Sequence, residues 1–505
     1  MDALPLVTRL AAVALAVGLT ACEDNDFDIV TATAGTCALP VTSTANDITS
    51  TTLEVNPSGR APLAASLQID TASAAVARVT VPGANGTQSD AVITTADCAR
   101  THTVTVLGLY AGTTNDVTVE LINAGEVSAS TVIAVTTDPL PDEMPTFRID
   151  QDYATDDQRY FLVNFRPFHR PLIVDRYGDI RWFLDDPEGG VKYGLQILAN
   201  GNLAYGSRAD QVEEYTPLGE LANAWTVQPT YEDIHHDVYE MENGNFLVTV
   251  NEVGADTVED IIIELDRSTG EIATVWDLRP LLPRRTTLLD DPGDWFHANA
   301  VIHDTRDDSI IVSGQRQGIV KVSRNNELRW ILAPPDGWEG FEQFLLTAPL
   351  SGEFEYNWGQ HAPQVLPDGD LILFDNGLAR EYGTAASYSR AVRYRITEND
   401  EIGGAVEQVW QYGRERGDEM FSPIISDVDY LPDTGNILIT AGALAFDFTW
   451  VSPSEFSGMF LDDPEKSRII EVTEAGEVAF EMVVVSTQPR GSVYRSELVT
   501  LFNAR

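Results

Sequence analysis

The stretch "NWGQHAPQVLPDGDLILFDNG", Asn357 to Gly377, sets one histidine, His361, immediately before a short apolar strand, a Pro-Asp-Gly turn and a second apolar strand. That pattern is a β-hairpin signal, and it recurs. "ILANGNLAYGS" (197–207) leads into "QVEEYTPLGELANAW", and "YEMENGNFLVTV" (239–250) into "IIIELDRSTGEIATVW". "VIHDTRDDSIIVSG" (301–314) leads into "GIVKVSRNNELRW", and the opening stretch into "RAVRYRITEND" and "EQVWQYG". "VDYLPDTGNILITAG" (428–442) leads into "SRIIEVTEAGEVAFEM". Each unit reads as four strands, most of them closing near a Trp. A sixth unit can be assembled from "PLIVDRYGDIRWFL" (171–184) and strands from an end of the region. Four-strand units repeated at this period, with almost no helical periodicity, predict a six-bladed β-propeller over 147–505.

The repeats can be aligned on the apolar residue before each turn: Leu198, Met241, Ile302, Leu366 and Leu431. Five residues earlier stand Tyr193, His236, His297, His361 and Ser426. Three of the chain's seven histidines therefore share one register. Equivalent positions in a propeller lie around one axis, so these side chains are expected to converge at one mouth of the channel on rigid strands. His235 precedes His236, Asn299 follows His297 by two, and Arg316 falls on or near the next strand. His303 sits in a turn, His102 in the preceding region and His169 at the propeller entry, and none of these is expected in the site.

Imidazoles titrate near neutral pH and serve as acid or base. A neutral imidazole is also a nucleophile toward phosphoryl or sulfuryl groups, and nearby donors stabilise charge on peripheral oxygens. No phosphate-binding Gly-rich loop, GxSxG or HExxH stretch is present. A metal-binding hydrolase stays open, since three imidazoles can hold zinc or copper, although no carboxylate shares their register. A binding propeller without chemistry also stays open. A quinoprotein dehydrogenase propeller shares Trp-ended blades but does not account for the histidine register.

The formal net charge of −46 over 505 residues excludes a polyanion such as nucleic acid as the natural partner. Any anionic substrate has to be met by local Arg or His. At the N-terminus, Arg9, the apolar run "LAAVALAVGL" and "LTAC" read as an export signal over 1–21, ending in a lipobox-like lipid-attachment cysteine, Cys22. A polar tether over 22–36 follows. The expected location is the bacterial cell envelope, facing the periplasm, with the membrane reached through the N-terminal lipid. In that oxidising setting Cys37 and Cys98 are expected to pair, closing a loop of roughly 60 residues and contributing about 4 kcal/mol. Residues 37–138, with runs such as "HTVTVLGLY" and "NDVTVELINAG", predict an immunoglobulin- or fibronectin-III-like β-sandwich, and prolines at 139, 141 and 145 mark an extended linker over 139–146.

The stretches "HHDVYEMENGNFLV", "DWFHANAVIHDTRDDSIIVSGQRQGIVKV", "LRWIL", "QHAPQVLPDGDLILFDNG" and "SRAVRYRITENDEIGGAVEQVWQYG" together resemble the bacterial arylsulfotransferase family. The resemblance covers the whole propeller, and the preceding sandwich is compatible with it. It implies transfer of a sulfuryl group from an aryl sulfate to a phenolic acceptor, with no nucleotide sulfate donor and no cofactor, through a sulfohistidine. It implies His361 as nucleophile, His236 and His297 as sulfuryl-binding and proton-transferring groups, Asn299 as a hydrogen-bond partner and Arg316 as the neutralising cation. His235, Ser426 and Tyr193 follow as substrate-binding positions from register and adjacency. The chain departs from the family at "SGQRQG", which displaces Arg316 by about one residue, and in having no cysteine after Cys98.

Overall fold

The computed structural model describes residues 47–501 other than 85–89, 154–158, 167–169, 186–189, 191, 208–209, 286–290, 351–352, 384 and 453–454. The export signal, the tether, Cys22, Cys37 and His169 lie outside the described residues. The described chain is all-β, with three short 3-10 turns. None of its helices is long and apolar enough to cross a membrane.

The first strands form two sheets that share one long strand, Ala65–Val81. Its first half pairs with Ile48–Val55 and Ala99–Val106. Its second half pairs with Ala91–Thr94 and Thr114–Asn123, and the latter pairs in turn with Glu126–Thr136. Alternate residues of the first half (Ala65, Leu67, Ile69) are buried, as expected of strands that face a core on one side. His102 belongs to this core side. The buried Arg181 joins this region to the next: its Nε donates to Gly108 O (3.0 Å), its Nη1 pairs with Asp175 (2.8 Å), and its guanidinium lies 3.8 Å from the centre of the Tyr110 ring.

From Thr146 onward the strands make six sheets of four or five strands and one two-stranded ribbon. We number the sheets I to VI by their inner strands. These are Ser492–Val499 (I), Tyr193–Ile197 (II), Val238–Glu240 (III), Ala298–Asp304 (IV), His361–Val365 (V) and Asp427–Leu431 (VI). Each inner strand touches the next, and that of sheet VI touches that of sheet I, so the strands surround one axis. The architecture is propeller-like, and both ends of the region take part in closing it. The C-terminal strand Ser492–Val499 forms the inner edge of sheet I beside Tyr160–Arg166, while Thr146–Asp152 adds an outer strand to sheet VI.

The tryptophans noted in the sequence stand on the outer strands, and three of them bridge neighbouring sheets. Trp182 of sheet I donates to Pro217 O of sheet II (2.8 Å), Trp276 of III to Ser323 O of IV (2.9 Å), and Trp410 of V to Glu474 O of VI (2.9 Å). Each indole thus buries its apolar body between sheets and satisfies its one donor across the gap. Near the axis the approach is closer still. A Cβ on Gly194 would lie 2.0 Å from Val238 N, and the residue has φ 56°, so only glycine fits there.

A candidate active site at the axis

The aligned positions reach the axis, but their backbones are not equivalent. His236 (φ 52°), His297 (φ 57°) and Ser426 (φ 92°) are themselves left-handed. In sheets II and V the left-handed residue is the next one, Gly194 or Ala362 (φ 49°). Pairing slips by a residue near Tyr193, Ala298 and His361. Such bulges re-aim a side chain at the cost of local strain, and they are common beside functional sites.

Four of the five aligned side chains meet. The ring centres of Tyr193 and His236 are 5.9 Å apart and those of His236 and His297 4.8 Å. The charge of His297 opposes protonation of His361. His236 and His297 keep 17% and 18% of their side-chain surface open, while His361 is buried. His235 packs edge-on to His236, with the two Nδ1 atoms 3.0 Å apart. Ser426 turns into its own sheet instead: its hydroxyl meets Ser422 Oγ (2.8 Å) and accepts from Gly442 N (3.1 Å).

Asn299 and Arg316 reach the imidazoles through intermediaries. Asn299 Nδ2 donates to Gln360 O (2.8 Å), one residue before His361, and so holds the start of sheet V. Arg316 Nη2 pairs with Asp294 Oδ2 (2.5 Å), and its Nη1 donates to the Asp294 carbonyl. Asp294 in turn accepts from His297 Nδ1 (2.9 Å).

Several groups in the site carry no signal in the repeat alignment. Glu259, which precedes the third strand of sheet III, lies 2.6 Å from His297 Nδ1 and 3.8 Å from His236 Nδ1. Asn376 Oδ1 lies 2.9 Å from His361 Nδ1. Tyr494 meets Tyr193 edge-on at 6.1 Å. Arg495 comes from the C-terminal strand, pairs with Asp237 (2.7 Å) and faces His361.

These surroundings give the imidazoles opposite protonation. Burial pushes His361 down to about 3, against a partial opposing effect of Asn376, and it pushes His236 well below its ordinary value. Burial acts on His297 in the same sense, but hydrogen bonds to Asp294 and Glu259 outweigh it and raise His297 to about 9. Burial raises the Glu259 carboxyl, but the neighbouring imidazoles of His236 and His297 outweigh it and hold the group well below its usual range. The site therefore presents neutral His361 and His236 beside one proton-bearing imidazole. Two groups of atoms also have ligand geometry for a cation, His235/His236/Glu259 and Glu259/Asp294/His297, each within 4.8 Å. The second is the hydrogen-bonded cluster that keeps His297 protonated.

Arg495 is an expected weak point for stability. Asp237 is buried and also accepts from Val301 N (2.9 Å). Arg495→Met leaves that carboxylate without its cation, which costs about 3 kcal/mol. Chemical denaturation is expected to show an earlier midpoint with an unchanged slope.

An all-β, propeller-like scaffold gathers buried imidazoles, carboxylates and local cations at its axis, an arrangement suited to an anionic substrate group. The sequence pattern of the arylsulfotransferase (ASST) family matches residues 147–495, and that of the arylsulfotransferase Ig-like domain matches 52–138. The chain belongs to the arylsulfotransferase family and is a sulfotransferase. It is similar to the arylsulfate sulfotransferases AssT of Escherichia coli O6:H1 and of Lelliottia amnigena. Each is 26% identical over 566 aligned positions, spanning 88% of this chain and 92% of the relative.

Proposed function

We propose that this sulfotransferase moves a sulfuryl group from an aryl sulfate ester to a phenolic acceptor in two half-reactions through a sulfohistidine at His361. In the first, His361 Nε2 attacks sulfur, the N–S bond forms and the aryl S–O bond breaks. The leaving phenolate takes the proton of His297. In the second, neutral His297 accepts the proton of the phenol, whose oxygen attacks sulfur and releases His361. The observation that carries this reading is the pairing of a neutral His361 with a protonated His297 held by Glu259 and Asp294.

His236 and the cations Arg316 and Arg495 are assigned to the sulfuryl oxygens, with Asn299 and His235 holding the neighbouring groups in place. Tyr193, half-buried and backed by the buried Tyr494, suits the ring of a donor or acceptor. The same reading counts the six sheets as six blades of a propeller spanning 147–505, after a sandwich over 37–138 and a linker over 139–146. It also retains export by the segment 1–21, lipid attachment at Cys22 to a periplasm-facing membrane, the tether over 22–36 and a Cys37–Cys98 disulfide.

With p-nitrophenyl sulfate alone, the protein is expected to release one equivalent of nitrophenol per active site and then stop, resuming only when phenol is added. Steady release without an acceptor would make the protein a hydrolase, and no release with either would remove the reading.

A further inference from the structure

Asn376 is buried in the "FDNG" turn at the end of the second strand of sheet V. Its Nδ2 donates to two carbonyls, Ser422 O (2.7 Å) and Ile425 O (2.7 Å). With both amide protons spent, the atom facing His361 Nδ1 is Oδ1, which only accepts. His361 Nδ1 must therefore carry the hydrogen, and Nε2 is bare.

The turn is built to keep that amide in place. Asp375 Oδ1 accepts from Trp358 N (2.9 Å) and Gly377 N (3.1 Å), and Oδ2 accepts from Arg380 and Arg390 (2.9 Å each). The Asn376 carbonyl accepts from Ser389 Oγ (2.8 Å), which itself accepts from Ser422 N (2.9 Å). A Cβ on Gly377 would lie 1.9 Å from Tyr388 O, so the chain after Asn376 has no latitude.

We propose that Asn376 is the positioning residue of the transfer: its amide oxygen fixes the Nδ1–H form of His361, turns the bare Nε2 to sulfur and, being uncharged, supports a second proton on that ring far less than a carboxylate would. The contrast lies within the site. His297 is held by two carboxylates and keeps its proton, whereas His361 is held by an amide and stays free to attack. The charged and titratable groups facing His361 are His297, His236 and Arg495, and none of them favours a charge on it. The inference rests on His361 being the nucleophile, but its first test does not depend on turnover.

In full-length protein labelled with 15N-histidine, the imidazole signals lost in His361→Asn are expected to report a protonated Nδ1 and a bare Nε2, unchanged from about pH 5 to about pH 8. A hydrogen on Nε2, or a ring that titrates in that range, overturns the proposal even if Asn376 variants do not fold. In Asn376→Asp the same ring is expected to take up a proton as pH falls, and kcat to drop about 100-fold at the acid end with KM unchanged. A variant that folds with wild-type signals and a wild-type pH profile also overturns it. Correct signals in a protein that forms no sulfuryl adduct would defeat the nucleophile assignment and leave the tautomer standing.

Discussion

Replacing His361 with Asn is expected to lower kcat for nitrophenyl sulfate by about 10⁴-fold or more. The reason is that no other group in the site combines a bare nitrogen with this placement. His236 is neutral as well, but its Nδ1 faces that of His235, and it is partly exposed where His361 is buried. His297 carries a proton and two carboxylate contacts, so it cannot attack. The substitution removes a buried side chain hydrogen-bonded to Asn376 and to the Gly359 backbone, so stability should fall by only about 1–2 kcal/mol. The measurement is a comparison of turnover with thermal unfolding. Retained turnover contradicts the assignment, and loss of turnover accompanied by loss of the folded state decides nothing in its favour.

Glu259→Gln should produce an effect that depends on pH. His297 is protonated up to about pH 9 in the folded protein, against an ordinary value of 6.5. The stability it contributes is complete below 6.5 and is lost as pH rises through about 9. Removing one of its two carboxylate partners lowers the folded value by about one unit or more. The imidazolium that protonates the leaving phenolate then disappears earlier. The alkaline limb of kcat/KM should move toward acid by about one unit, with roughly a threefold loss near pH 8.5 that approaches tenfold near pH 10, and convergence with wild type in acid. An unmoved alkaline limb would show that Glu259 does not set the proton on His297.

What could be read from the chain, and what could not, follows from how each group is delivered. The four-strand period and its hairpin turns mark every inner strand, so counting back from Leu198, Met241, Ile302 and Leu366 reaches side chains that meet at the axis. The same count reaches Ser426, but its hydroxyl is held within sheet VI by Ser422 Oγ and Gly442 N. Glu259 was invisible because it enters from just before a third strand, a place the alignment does not index. Asp294 stands three residues before His297 in "DWFH", and a carboxylate at that spacing was a signal available to be read. Asn376 lay inside the opening stretch, where "FDNG" reads as an ordinary turn. Only the carbonyls of Ser422 and Ile425, far along the chain, give its amide a direction. Arg495 belongs to a C-terminal strand that becomes an inner strand only when the propeller closes on itself. Arg316, expected at the anion, is also tied to Asp294, the carboxylate that accepts from His297, a link the sequence did not display.

The central claim concerns a covalent bond, so the most direct test looks for it. Protein exposed to an aryl sulfate without acceptor, quenched and digested, should carry the added mass of one SO₃ group on the peptide containing His361, and addition of phenol before the quench should remove it. An unmodified His361 peptide in protein that has released its equivalent of nitrophenol, or an adduct on a different residue, would contradict the account.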